Sequence, residues 1–439
     1  MRVEFLPVTA RHLVVAADLA GPDRYHVGDE AMAEANLAAL RAADGGDLTI
    51  TVTSADPTWT AAEHDCAAVP WAGFTTCDDD RQRQNLLRRL SNPRRGAGTP
   101  LVDAALSADA VIISGGGNLN SQWPAHLFER VLLGRIAARR QIPVLLTGQT
   151  IGPHLEESHR LLVRELLGSA CLVGVREPHS AALAEALGVD ATALFAQADD
   201  AIGLPPVPPP ALPPGFDPGT PARPSRFIAV TMHPIAPPGD PMLHSLATQL
   251  AVVGDQMGAQ LLYVPHVNRR EGPFVRSDVD VTHEMAAISG GWVLEPPNVR
   301  SAQWAAQAAW LVVTTRYHPV VFATAAGVPV LALPSDHYTA VKTLGALGHV
   351  GLGHWHLNVA DIGADRLADA LGELARRHGE IASWLGDTKG YLQRLDRERR
   401  RRLLAGLGLP TPRPDPPTRH FDPTIRPDAP RPAGIWAKG

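Results

Sequence analysis

Two cationic side chains follow strands that are predicted in different halves of the chain. Arg176 comes directly after the apolar run Cys171–Val175, and Arg316 follows the run Trp310–Thr314. In open α/β sheets, ligands bind beyond the carboxyl ends of the strands, so both guanidinium groups are expected beside a cleft. A guanidinium forms a bidentate fork with a carboxylate or phosphate, which predicts an anionic ligand. A surface ion pair between Arg176 and Glu177 is the alternative.

A histidine lies two residues after the second arginine. Arg316 and His318 would point the same way in extended backbone, which sets an imidazole beside an anion-binding cation. This pairing is typical of acid catalysis, since imidazole exchanges protons near neutral pH. Lys342 lies beyond the next predicted strand and is a candidate third cation in the same cleft. A capping histidine and ordinary surface cations are the alternatives.

A glycine run forms another candidate binding segment. Gly115, Gly116 and Gly117 follow the predicted strand Ala110–Ser114 and precede a helical pattern. Successive glycines let the backbone approach a ligand closely and present N–H groups to an anion. A tight turn that binds nothing is the alternative.

Three polar residues complete the candidate substrate-binding set. Gln149 follows the predicted strand Pro143–Thr147, and Ser180 lies three residues after Glu177. Asp29 opens an early helix, where it would serve as the N-cap, and a carboxylate near the cleft would also orient a substrate hydroxyl. No metal site is predicted, because the histidines lack an obvious set of neighbouring ligands.

The chain is predicted to form two Rossmann-like α/β domains. Its 439 residues are too many for one ordinary domain, and both halves alternate short β-branched runs with helical patterns. The N-terminal domain is predicted over 1–204 and the C-terminal domain over 225–408, with charged helices over 365–404. The Pro-rich segment 205–224 is predicted to be a linker, since proline removes N–H donors. The Pro-rich tail 409–439 is expected to be disordered.

Individual elements are predicted within this alternation. Strands are also expected at Phe227–Met232, Gln260–Val264 and Val328–Leu333. Helices are expected at Ala125–Arg140, His179–Leu187, Pro241–Met257, Val279–Ser289, Ala302–Ala308 and Pro319–Ala326.

The composition narrows the function classes. A formal net charge of −5 argues against a broad nucleic-acid surface, and 5% aromatic residues argue against a stacking platform for single strands. The three cysteines are expected to be free thiols, with a bridge between Cys66 and Cys77 in an oxidising compartment as the alternative. The N-terminus lacks a signal-peptide pattern, and no apolar run approaches the roughly 20 residues that span a bilayer. A cytoplasmic protein without membrane insertion is expected, while its oligomeric state is not determined by the sequence.

Several segments, taken in order, resemble the polysaccharide pyruvyltransferase family. The resemblance covers about residues 12–352, and the order and spacing of the segments make it specific. The matching segments are HVGDEAM at 26–32, VIISGGGNL at 111–119, GQTIGP at 148–153, VREPHSAALAEALGV at 175–189, WLVVTTRYHPVVFATAAGVPVLAL at 310–333, and Lys342.

The resemblance implies a GT-B-like fold, in which two Rossmann-type domains turn parallel sheets toward a central cleft. It also implies transfer of pyruvate from phosphoenolpyruvate to two hydroxyls of a carbohydrate acceptor, which forms a cyclic ketal without a cofactor. Arg176 and Arg316 would bind the phosphate and carboxylate of the donor, and His318 would be the general acid. Two positions differ from the usual family pattern: His26 replaces Asn, and Tyr317 replaces Leu.

Three alternatives stay open on the sequence. A glycosyltransferase of the same fold would use a nucleotide-sugar donor, with Gly115, Gly116 and Gly117 next to the diphosphate. A homologue without catalysis would keep the fold for binding. A family member in small-molecule biosynthesis would keep the donor and change the acceptor, which the departure at His26 allows.

Overall fold

The computed structural model describes residues 10–92, 98–220, 223–270, 274–362 and 364–413. Most of the Pro-rich tail predicted over 409–439 therefore lies outside the described residues. Within the described ranges, no helix is both long enough and apolar enough to cross a bilayer.

The N-terminal half forms a parallel sheet with helices on both faces. In the part of the chain described, its eight strands take the order β3-β2-β1-β4-β6-β7-β8, and β5 pairs beside β6. The elements are β1 His12–Leu19, α1 Val27–Ala43, β2 Thr49–Ser54, α2 Pro57–His64, β3 Ala67–Pro70, α3 Asp80–Leu90, α4 Pro100–Ser107, β4 Ala110–Ile113, β5 Gly116–Leu119, α5 Pro124–Arg140, β6 Val144–Ile151, α6 Glu157–Ser169, β7 Leu172–Val175, α7 Pro178–Ala186 and β8 Leu194–Ala196.

The C-terminal half repeats this architecture around a smaller sheet. A two-stranded ribbon precedes it, and its five strands are parallel with the order β13-β12-β11-β14-β15. The elements are β9 Gly219–Thr220, β10 Arg223–Pro224, β11 Arg226–Thr231, α8 Pro241–Met257, β12 Ala259–Tyr263, α9 Asp278–Ser289, β13 Trp292–Val293, α10 Val299–Ala308, β14 Leu311–Thr314, α11 His318–Ala326, β15 Val330–Ala332, α12 His337–His349, α13 Ala364–Arg376 and α14 His378–Gly406. The two parallel α/β sheets confirm the predicted fold class.

Two sequence-based expectations about local structure are corrected. The strand predicted over Pro143–Thr147 was expected to end before Gln149, but β6 continues to Ile151, because its backbone pairs with β5 and β7. Asp29 was expected to cap α1. The N-cap is instead His26, whose Nδ1 accepts a hydrogen bond from the Asp29 N–H at 3.3 Å.

The last helix connects the two halves. The start of α14 packs in the C-terminal core through Ile381 and Leu385. Its end packs on the N-terminal sheet, where Leu403 and Leu404 join a buried cluster with Leu13 of β1. The charged C-terminal segment thus crosses back to the first half through this helix.

Asp200 is a buried polar junction close to the domain boundary. It is fully buried, and it accepts hydrogen bonds from the Gly115 N–H at 3.1 Å and from Asn36 Nδ2 at 2.8 Å. Thr147 Oγ1 donates to its other oxygen at 2.7 Å, and Arg399 of α14 lies 3.6 Å away. The carboxylate therefore joins strand ends of the N-terminal sheet to the last helix.

We predict that Asp200→Ala lowers the free energy of unfolding by about 3 kcal/mol or more, because it leaves buried donors and a buried guanidinium without their acceptor. Urea unfolding followed by circular dichroism measures the change. Glu185→Ala, on the exposed face of α7, is the control and should change stability by no more than about 0.5 kcal/mol. Equal stability of the two variants would contradict the role given to Asp200.

Candidate active site between the two domains

A cavity of about 140 Å³ lies where the carboxyl ends of the two sheets meet. This volume is below the range of about 300–1,000 Å³ that is common for drug-sized ligands, so the cavity suits a small ligand. Predicted site residues that it brings together are Asp29, Gly117, Arg176, Arg316, His318 and Lys342.

Arg176 is held rigidly on the cavity wall at the end of β7. Its side chain is 2% exposed; Nε donates to Thr150 Oγ1 at 2.9 Å, and Nη1 donates to Asp199 Oδ2 at 2.6 Å. The guanidinium carbon lies 4.5 Å from the centre of the Tyr317 ring, which belongs to the other domain. The carboxylate and the ring therefore fix the plane of this cation.

Arg316 is oriented by a buried carboxylate from α9. Both oxygens of Asp278 accept hydrogen bonds from the guanidinium, one of them from Nε at 3.1 Å. Asp278 Oδ2 also accepts from the backbone N–H groups of His266 and Val267, each at 3.1 Å. The Arg316 side chain is 20% exposed and lines the cavity. Asp278 therefore holds this cation in a fixed position on the cavity wall.

His318 is the first residue of α11, and its side chain is 8% exposed. Its Nε2 atom lies 3.7 Å from Asp199 Oδ1 and makes no hydrogen bond to any residue that the structure describes. Burial, followed by the charge of Arg176, lowers the pKa of His318 well below its usual value of 6.5. The sequence predicted an imidazole that exchanges protons near neutral pH. That expectation is corrected, because the protein surroundings of His318 favour the neutral ring.

The start of α1 packs directly against this imidazole. A Cβ atom added to Gly28 would lie 2.1 Å from His318 Nδ1, so only glycine allows this approach. The adjacent Val27 N–H donates to the His266 carbonyl at 2.9 Å, which fixes α1 against the C-terminal domain. The N-terminal domain thus completes the surroundings of a C-terminal histidine.

Lys342 forms the third cationic wall. Its Nζ lies 3.9 Å from the centre of the Tyr338 ring and 5.7 Å from that of Tyr317. Burial, followed by the charge of Arg176, lowers the pKa of Lys342 to about 7. The lysine can therefore gain or lose its charge close to neutral pH.

Two carboxylates line the N-terminal side of the cavity. The Asp18 carboxylate contacts Arg130 Nη2 and His126 Nδ1, each at 2.7 Å. Burial opposes its ionisation, but these two partners hold the pKa of Asp18 well below its usual value. Asp29 lies 3.2 Å from His26 Nδ1, and burial, followed by the charge of Asp18, raises its pKa to about 7.

The sequence profile of the polysaccharide pyruvyl transferases matches residues 26–337 of this chain. The match includes Arg176, Arg316 and His318, whose side chains the fold brings to one cavity. The chain belongs to the polysaccharide pyruvyl transferase family. This membership confirms the resemblance seen in the sequence and makes the protein a transferase.

Solved structures of GT-B enzymes share the fold of this pyruvyl transferase family member. A putative UDP-N-acetylglucosamine 2-epimerase from Listeria monocytogenes superimposes with a TM-score of 0.58 at 15% identity, over 90% of this chain and 96% of the other. HepE from Anabaena, in complex with UDP and glucose, gives a TM-score of 0.54 at 12% identity, over 90% and 100% of the two chains. No curated protein sequence matches the chain.

Four predicted binding residues lie outside the lining of this cavity. Gln149 is buried, and its Nε2 donates to the carbonyls of Ser114 and Thr147 rather than into the cleft. Ser180 Oγ accepts from the Ile151 N–H at 2.7 Å. Gly115 packs against Asp200, and Gly116 pairs with β6. All four residues therefore make contacts within the N-terminal fold, and β6 continues past the predicted end of its strand.

Sequence reasoning missed four residues that shape the site. Asp18 is the next-to-last residue of β1, and Asp199 follows β8, so a fuller strand assignment would have marked both as candidates. Asp278 begins a helix far from Arg316 in sequence, and no local pattern indicates their pairing. Tyr338 lies inside a helix, where its hydroxyl donates to the Gly117 carbonyl at 3.0 Å across the cleft.

We predict that Gly28→Ala lowers transferase turnover by about 100-fold, because the added methyl group displaces the His318 ring from its position. Steady-state kinetics measure turnover, and the ¹⁵N shifts of labelled histidines report the displaced ring. The control is Gly348→Ala in α12, where an added Cβ meets no atom within 4 Å. Normal turnover in Gly28→Ala would show that the contact does not position His318.

Proposed function

We propose that this family member transfers the pyruvyl group of phosphoenolpyruvate to two hydroxyls of a carbohydrate, forming a pyruvate ketal and inorganic phosphate. The observation that carries the proposal is the convergence of Arg176, Arg316 and Lys342 around the buried His318. Phosphoenolpyruvate concentrates a phosphate and a carboxylate in a small volume, which matches a small cavity with three cationic walls.

The two arginines suit the two anionic groups of the donor. Each guanidinium is oriented by its own carboxylate, Asp199 for Arg176 and Asp278 for Arg316. Such preorganised cations stabilise developing charge without having to reorient during the reaction. Lys342 adds a cation whose charge is favoured when an anion lies beside it.

His318 would supply the proton that activates the donor. The neutral imidazole favoured by the protein becomes protonated when a phosphate binds, because a nearby anion raises the pKa of a base. Transfer of the His318 proton to the methylene carbon of the donor makes the adjacent carbon electrophilic, and a hydroxyl attacks that carbon. Phosphate leaves, and the second hydroxyl closes the ketal.

The N-terminal wall suits the carbohydrate. Trp71 and Trp123 line the cavity together with Asp18, Asp29 and Asn118. Aromatic faces pack against the apolar C–H faces of a sugar, while carboxylate oxygens accept hydrogen bonds from its hydroxyls. This arrangement supports an acceptor that enters from the N-terminal domain.

A second cavity, of about 560 Å³, adjoins the first and supports an alternative. It shares Trp123, Arg316 and Lys342 with the smaller cavity and extends over the ends of the C-terminal strands. A nucleotide-sugar donor would need that larger space, and the HepE complex contains UDP. Binding of a nucleotide is therefore the competing outcome in the test of donor identity.

We predict acceptor-dependent release of phosphate from phosphoenolpyruvate by the wild-type protein, measured against a panel of simple glycosides. His318→Asn should reduce the rate by at least about 100-fold, since it removes the proton donor but keeps a polar side chain. His337→Asn is the matched control at an exposed position of α12 and should retain the rate. Tight binding of UDP without phosphate release would favour the glycosyltransferase.

We predict that phosphoenolpyruvate binds with net proton uptake, and more weakly as pH rises above 7. The pKa values of His318 and Lys342 are lowered in the protein, so an anion that restores their charge draws protons with it. Isothermal titration calorimetry in two buffers of different ionisation enthalpy measures the uptake.

Lys342→Arg provides the discriminating variant for this linkage, because arginine keeps its charge at every pH used. It should take up fewer protons between pH 7 and 8 than the wild type. Lys389→Arg, at an exposed position of α14, should behave like the wild type. Equal uptake in all three proteins would refute the contribution of Lys342.

A further inference from the structure

The carboxylates in the described lining of the cavity belong to one domain. Asp18 and Asp29 both lie in the N-terminal domain, whereas the C-terminal domain presents His318 together with Arg269, Arg316 and Lys342. Gly28 brings the start of α1 into contact with the His318 ring, and the next residue, Asp29, lines the same cavity. The cavity therefore contains a carboxylate on its N-terminal side as well as the proposed acid.

Asp18 and Asp29 differ in their partners. Asp18 is held by Arg130, His126 and Asn118, which occupy its oxygens and keep it ionised. Among the residues that the structure describes, the one short contact of the Asp29 carboxylate is with His26 Nδ1, at 3.2 Å. A carboxylate held by three donors is a poor base, whereas one without such donors can accept a proton.

Ketal formation also requires such a base. Two acceptor hydroxyls lose their protons, while His318 delivers only one proton to the donor. A group on the acceptor side must therefore take the proton of the attacking hydroxyl as its oxygen bonds to carbon.

We propose that Asp29 is the general base that removes the proton from the attacking acceptor hydroxyl. This assignment rests on the proposed function and adds a catalytic group to it. His26 acts as a positioning residue, since its Nδ1 accepts a hydrogen bond from the Asp29 N–H and lies 3.2 Å from the Asp29 carboxylate.

The proton balance closes with these two groups. The first hydroxyl gives its proton to Asp29 and bonds to the central carbon of the donor, while the methylene carbon takes a proton from His318. The carbon–oxygen bond to phosphate then breaks, with its electron pair going to the phosphate. The second hydroxyl bonds to the same carbon and returns a proton to His318, and Asp29 passes its proton to the phosphate.

Besides burial, which raises the pKa of Asp29 most, charged groups on several elements act on it. Asp18 of β1 favours its protonated form, while His126 of α5, Lys342 of α12 and Arg176 after β7 favour the carboxylate. His26 faces it from the start of α1. The pKa of Asp29, raised to about 7, is well placed for a base near neutral pH, and turnover should increase as pH rises from 6 to 8.

Asp29→Asn tests the base while keeping the size of the side chain. We predict that kcat falls by about 100- to 10,000-fold and loses its rise between pH 6 and 8, while the KM for the acceptor changes little. Calorimetric binding of phosphoenolpyruvate should stay within about threefold of the wild type. Glu30→Gln is the matched control on the same helix, because its carboxylate faces His64 of α2.

Chemical rescue separates a base from a structural carboxylate. Asp29→Gly should be inactive and regain turnover with added formate or azide, whereas Glu30→Gly should not respond to either. If the wild type is active, two results would overturn the role of Asp29 without affecting the proposed function. One is full turnover in Asp29→Asn, and the other is the absence of rescue in Asp29→Gly. Wild type without acceptor-dependent phosphate release would refute the proposed function and, with it, this base.

Discussion

The buried charge of Arg176 must be compensated where the two domains meet, and the surrounding structure meets this requirement. Its guanidinium contacts Thr150 and Asp199 of the N-terminal domain and the Tyr317 ring of the C-terminal domain. Its carbonyl also accepts a hydrogen bond from His349 Nε2 at 2.8 Å. Removing one partner of a buried ion pair costs several kcal/mol, so this cation ties the closed arrangement of the domains to the organisation of the site.

The same buried charge governs the protonation of the site. Arg176 contributes to the lowered pKa values of both His318 and Lys342. The protein therefore favours the neutral form of His318 and leaves Lys342 only partly charged near pH 7 until an anion approaches. Such a site favours a ligand that brings its own negative charge, which fits a small phosphate-bearing donor better than a neutral molecule.

The sequence predicted much of the cationic site but less of what orients it. Arg176 and Arg316 follow strands, and the rule that strand ends line the cleft suffices to find them. Their carboxylate partners, Asp199 and Asp278, depend on packing between distant segments, which local patterns do not encode. Gln149 was predicted to bind substrate, but it lies outside the cavity lining for a related reason. Pairing in the sheet extends β6 beyond the predicted end of this strand.

The path of α14 has a consequence for biosynthesis. Leu403, Leu404 and Leu407 cover a face of the N-terminal sheet formed by residues such as Leu13 and Ile112. During synthesis that face emerges from the ribosome long before its cover does. The first half must therefore wait, with part of its apolar surface in contact with water or a chaperone, until nearly the whole chain has been made.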